Sequence, residues 1–205
     1  MGCVQCGVVV APLAPSSTAD HLAAMLDNAQ PRYLFLDAES RDRLPASTQD
    51  DWPCVALDDS DAGQAWTPWL HEAGASARPT PVQPQPDWAF NLIYSSGTTG
   101  VPKGILQPWS MRWAQIQRGH ANRYDERTVN LVATPLYSNT TLVSLIPTLG
   151  MGGTSILMPK FEVREFLELA QSHRATHTML VPVQYQRLMD FPDFARYDLS
   201  SFEAK

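Results

Sequence analysis

In the segment YSSGTTGVPKG (residues 94–104), Ser95, Ser96, Thr98 and Thr99 supply hydroxyls and Gly97, Gly100 and Gly104 supply backbone freedom. Lys103 adds a positive charge. Ordering so flexible a stretch costs backbone entropy, so it is either a loose surface loop or a loop whose ordering a ligand rewards. Hydroxyl donors, exposed amides and an ammonium group together suit a polyphosphate. Pro102 fixes the backbone just before the lysine. The spacing is not that of a Walker A loop, G-x-x-x-x-G-K-[ST], because Pro102 precedes Lys103 and Gly104 follows it. No G-x-G-x-x-G dinucleotide fingerprint can be laid over it either.

Other groupings carry less chemistry. Cys3 and Cys6 form a lone C-x-x-C with no second pair downstream, and they read as small apolar residues ending a buried helix. His173 and His177 lie four apart but straddle a helix end and a strand start with no carboxylate pair nearby, so a structural role is expected. DDSDAG (residues 58–63) has the composition of a calcium loop without its ligand alternation or closing glutamate. It reads as a solvated loop.

The elements that must position the lysine loop follow from periodicity. GVVVAPL (residues 7–13) reads as a buried strand and RYLFLD (32–37) as the next. Between them Ser17 or Thr18 can cap a helix whose Leu22, Met25, Leu26 and Ala29 share one face. The segment is therefore expected to be β-α-β with its two strands as parallel neighbours. A strand is expected at 54–57 and a short helix around Trp66, Trp69 and Leu70. Residues 74–87 carry four prolines, the composition of a stiff connector. Beyond it, strands at 88–95, 104–107, 129–137, 153–158 and 176–182 alternate with helices. This predicts an α/β fold of mostly parallel sheets covered by helices, with residues 1–73, 74–87 and 88–205 as its three stretches.

Composition narrows the function classes. Over 205 residues, 44% are hydrophobic and 18% charged, an ordinary globular balance, and the net charge is −6. No Lys/Arg cluster is available to neutralise a nucleic-acid backbone, so no nucleic-acid partner is expected. The apolar run 141–158 is broken by Pro147 and three glycines, which makes it core and not a transmembrane segment. Three cysteines and no basic leader point to a reducing, cytoplasmic setting.

The loop YSSGTTGVPKG resembles the signature phosphate loop of the adenylate-forming (AMP-binding) superfamily. That group includes acyl- and aryl-CoA ligases, firefly luciferase and peptide-synthetase adenylation domains. VVVAPLAPSSTADHL (8–22) is similar to the family's early strand-helix unit, and ATPLYSNTTL (133–142) falls where the family has a Pro-x-aromatic-His segment. ILMPKFEVREFLEL (156–169), VPVQYQRLMDFPDF (181–194) and RYDLSSF (196–202) are similar to the coumarate–CoA ligase, fatty acyl-CoA synthetase and luciferase branch.

The resemblance implies ATP-dependent activation of a fatty or aromatic carboxylic acid to an acyl-adenylate, then transfer to coenzyme A. It implies that Ser95, Ser96, Gly97, Thr98, Thr99, Gly100 and Lys103 hold the ATP phosphates. Ser95 would lie near Mg²⁺, and Lys103 is the catalytic residue that stabilises the leaving charge. Tyr137, Ser138, Val181 and Pro182 are implied to line the acyl pocket. Ser138 stands where the family usually has histidine, which leaves the mode of carboxylate binding open. The family's adenine and ribose segments, its hinge and its small C-terminal domain have no counterpart here. An internal portion of the large N-terminal domain, inactive in isolation, is therefore expected. The alternative is a non-catalytic nucleotide or acyl binder.

Overall fold

Helix α2 (Ala19–Ala29) forms where the spacing predicts it. Thr18 caps it, its side chain accepting from the His21 amide at 3.3 Å, and Gln30 closes it in the left-handed region at φ 46°. Its apolar face, Leu22, Met25 and Leu26, is buried against Leu36, Leu44, Ala56 and Ala62. The computed structural model describes residues 2–46, 48, 51–72, 74, 78, 80, 82–95 and 102–203. They fall in two units, Met1–Gln107 and Pro108–Lys205, and the proline-bearing stretch 74–87 lies within the first.

In the first unit, α1 (Gly2–Gln5) is followed by α2 and then by a parallel sheet. Its strands are β1 (Leu34–Leu36), β2 (Cys54–Ala56) and β3 (Gln64–Ala65), in that order. Between β1 and β2, α3 (Ala38–Asp42) is capped by Asp37, which accepts from the Ser40 amide at 2.8 Å. After β3, α4 (Trp66–His71) stacks its two tryptophans, and Phe35 stands edge-on to both. β4 (Ala89–Ser95) pairs with β5 (Lys103–Pro108).

Two expectations for this unit need correction. The run 7–13 is not a buried strand. Val8, Val9 and Val10 are exposed, and Val10 makes an isolated parallel bridge to Asn91, accepting from the Leu92 amide at 3.0 Å. β1 pairs with β2, not with that run, so the expected β-α-β neighbours do not form a ladder. A β-branched run reads alike whether a full ladder or one bridge awaits it, because propensity is blind to the partner. Cys3 and Cys6 are likewise exposed, not buried at a helix end.

The second unit is built on a parallel sheet with β6 (Val129–Val132) at its centre, between β7 (Thr154–Leu157) and β8 (His177–Thr178). α5 (Trp109–Gly119) and α6 (Asn139–Gly150) precede and follow β6, and α7 (Val163–Ser172) and α8 (Pro182–Met189) flank β8. The α5 and α6 ends approach closely because both finish in glycine. A Cβ on Gly119 would lie 2.7 Å from Met151 Sδ, and one on Gly150 would lie 2.8 Å from Ile116 Cδ1. α7 buries Phe166, Leu167 and Ala170, which share one helical face, into a core with Leu131, Met158, Ala175, Leu180 and Leu188. Leu167 is fully buried there. Leu167→Ala is expected to lower the unfolding free energy by about 2–5 kcal/mol, measured by urea denaturation, since transfer and cavity costs add.

Candidate functional site

Ser95 is the last residue of β4 and Lys103 the first of β5, so the hydroxyl- and glycine-rich connection joins two paired strands. Both side chains are exposed. Ser96, Gly97, Thr98, Thr99 and Gly100 lie outside the described residues. The base of the connection is anchored on α2. The Tyr94 hydroxyl lies 2.9 Å from Met25 O and 2.8 Å from Asn28 Oδ1. One phenol proton cannot serve two acceptors fully; turning the Asn28 amide so that its nitrogen donates to the phenol satisfies both groups. Gly104 is packed against the same anchor, and an added Cβ would meet Asn28 Oδ1 at 2.9 Å and Tyr94 Cε1 at 3.2 Å. A side chain there would push the lysine-bearing strand off its support.

Tyr137 and Ser138, both half-buried, occupy the turn between β6 and α6, and Val181 and Pro182 open α8 just beyond β8. Since β6 and β8 are parallel neighbours, both segments leave the same edge of one sheet, the edge where open α/β sheets bind ligands. Gln184 ties the two segments together. Its Oε1 accepts from the Val181 amide at 3.0 Å, and its Nε2 donates to Ala133 O at 2.9 Å. The turn after β6 is pinned by Thr141, which donates to Pro135 O at 2.6 Å and lies 2.7 Å from the Thr134 hydroxyl. Ser138 is the N-cap of α6, yet its side chain makes no capping bond.

Beside Ser138, Asn139 Oδ1 accepts from Arg112 Nη1 at 3.2 Å, and Gln115 Oε1 accepts from the same Nη1 at 3.0 Å. Arg112 is buried, and desolvation lowers its pKa to about 10, so it remains a cation at neutral pH. His177 is structural, as expected. Its Nδ1 lies 2.8 Å from the Thr176 hydroxyl, its Nε2 lies 3.0 Å from Asn122 O, and its ring packs on Tyr124. Among the described residues, no three His, Cys, Asp or Glu gather as a metal site, and no helix is long and apolar enough to cross a membrane.

The second unit also holds a cavity of about 600 Å³. Gln115 and Arg118 of α5, Val143 and Pro147 of α6, Met179 beyond β8 and Tyr185 of α8 line it, with Asn122, Tyr124 and Thr178. The sequence assigns none of these to a site, though Pro147 stands out as a break in an apolar run, and the four expected pocket residues are not in its lining. The only signal for them is the pairing of Gln115 and Arg118 three apart on one helix face, which by itself reads as solvated surface.

A family model described as AMP-binding enzyme matches residues 1–204. The chain is 34% identical to the medium/long-chain-fatty-acid–CoA ligase FadD8 of Mycobacterium tuberculosis over 62% of its own length and 24% of that protein. It is 27% identical to the indoleacetate–CoA ligase of Aromatoleum aromaticum over 97% of its length and 40% of that protein. The chain thus spans between a quarter and two fifths of these relatives. Among solved structures, the luciferase-like enzyme of the nonluminescent mealworm Zophobas morio superposes with a TM-score of 0.78 at 25% identity. That match covers 96% of this chain and 47% of the mealworm protein.

Two outcomes test the geometry. Tyr94→Phe removes the anchor's hydroxyl and is expected to cost about 1 kcal/mol in urea unfolding. Burial raises the Tyr94 and Tyr124 phenols above the ordinary value of 10, because it disfavours the phenolate. Unfolded tyrosine ionises first, so the stability tied to these phenols is full below pH 10 and lost as pH rises through their folded values. Ultraviolet titration of the native chain should show two late-ionising phenols that become ordinary in urea.

Proposed function

This chain belongs to the AMP-binding enzyme family, within the acyl- and aryl-CoA ligase branch of the adenylate-forming enzymes, and from that membership we propose the following reaction. In the protein of which it is part, a fatty or aromatic carboxylic acid attacks the α-phosphate of ATP, releasing pyrophosphate and forming an acyl-adenylate. Coenzyme A then displaces AMP to give the thioester. The observation that carries this reading is the placement of Ser95 and Lys103, both exposed, at the two ends of the hydroxyl-rich connection between paired strands. An exposed hydroxyl and an exposed ammonium group suit the phosphate end of ATP, and Ser95 would be the residue that holds Mg²⁺, which would supply further charge neutralisation there.

In this reading the chain positions and neutralises, and supplies no nucleophile or general base. ATP brings the adenylyl group that activates the acid. The Ser95 hydroxyl and the 96–100 segment hold the β- and γ-phosphates, and Lys103 meets the charge that grows on the departing pyrophosphate. Tyr137, Ser138, Val181 and Pro182 face the acid from the sheet edge they share. Serine at 138 offers a neutral hydroxyl with no capping bond to break, so it orients the carboxylate by hydrogen bonding without adding charge. A cytoplasmic setting, a small-molecule carboxylic acid as substrate and no nucleic-acid partner complete the reading, with residues 88–205 as the stretch that carries the phosphate loop.

Lys103→Ala in the full parent protein is expected to lower acid-dependent ATP–pyrophosphate exchange by about 10²-fold or more, with circular dichroism unchanged. Unchanged exchange would remove the role given to the lysine. ATP binding without exchange for any acid would select a binding role instead.

A further inference from the structure

The described residues that line the 600 Å³ cavity all belong to the second unit, and its volume falls in the size range of small-molecule sites. Val143, Pro147, Met179 and the rings of Tyr124 and Tyr185 give it apolar walls; Gln115, Arg118, Asn122 and Thr178 make it polar elsewhere. What those polar groups have left to offer decides what can bind. The Thr178 hydroxyl already donates to Leu131 O at 2.8 Å, and Asn122 Nδ2 gives one of its two N–H groups to Arg118 O at 3.2 Å, keeping the other. Gln115 receives the Arg112 guanidinium on its Oε1, and a guanidinium can only donate, so the Gln115 amide is fixed with its NH₂ left over. The Arg118 guanidinium has no ion-pair partner among the described residues. It sits on α5 three residues from Gln115, on the same helical face.

Donors that include one full cation therefore face a cavity whose described lining residues include no carboxylate. Apolar walls take a hydrocarbon or ring, and the donor pair takes an anionic acceptor. We propose that this cavity holds the tail of the acid substrate and that the tail carries a second anionic group, a carboxylate or sulfonate, at the far end from the reacting carboxyl. The Gln115 amide and the Arg118 guanidinium bind that group together. Arg112 is a positioning residue, since it acts by orienting the Gln115 amide. The inference rests on the acid-activating reading and adds a selectivity to it. Bulk attraction does not produce this preference, because the chain's net charge of −6 repels a dianion more than a monoanion.

The test is calorimetric binding of octanoate and of octanedioate to the 205-residue chain at neutral pH. Octanedioate should bind at least tenfold more tightly. Arg118→Met, which keeps the apolar stem of an exposed side chain, should remove that advantage. Arg118→Lys should restore part of it. Equal affinity for the two acids, no binding of either, or an advantage that survives Arg118→Met would each overturn the proposal. Loss of the diacid preference while the parent still shows acid-dependent pyrophosphate exchange sinks this inference alone. Absence of exchange with every acid sinks the reading on which it rests.

Discussion

Parallel pairing on both sides of β6 is the constraint from which the second unit follows. A strand that runs parallel to its neighbour can be reached only by a crossover, so each connection after a strand departs from one common edge. That requirement sets the turn bearing Tyr137 and Ser138 next to the one bearing Val181 and Pro182, although more than forty residues separate them. It also explains why Gln184 is buried. The backbone groups at the edge where the ladder ends still need partners, and one amide side chain serves both strand ends.

The same logic shows why some of this molecule is legible in its sequence and some is not. α2 and α7 are legible because a helical face declares itself within a dozen residues, and a cap such as Thr18 is local chemistry. The lysine loop is legible for the same reason, since hydroxyls, glycines and Lys103 crowd into one short stretch. The run 7–13 misleads because β-branched residues announce an extended backbone, while burial depends on a partner far along the chain. β8 is shorter than its apolar run because the ladder with β6 takes in only His177 and Thr178. The cavity is the least legible feature. Its walls come from α5, α6, α8 and the chain around β8, each contributing one or two residues that look ordinary in isolation.

Charge is handled differently in the two units. Lys103 stands exposed at a strand start, where its ammonium group stays hydrated. Arg112 is buried, and its cost of desolvation is offset by amide acceptors from Gln115 and Asn139. A buried cation satisfied by neutral carbonyls fixes the orientation of those amides more firmly than they would fix each other. The guanidinium thereby acts on one group a turn along its own helix, Gln115 of α5, and on one at the start of α6, Asn139.

The two terminal glycines of α5 and α6 have a bearing beyond packing. Gln115 and Arg118 lie about one turn from Gly119, and Val143 and Pro147 within two turns of Gly150, so a side chain at Gly119 would press on Met151 and on two cavity-lining residues, Tyr124 and Pro147. Width and chemistry are thereby specified by different residues. A lineage of such proteins can change calibre by adding or removing a methyl group at the helix ends, while the groups that recognise the guest stay as they are. Proline at 147, which removes the helical donor to the carbonyl four residues before it, gives α6 the compliance to follow such a change.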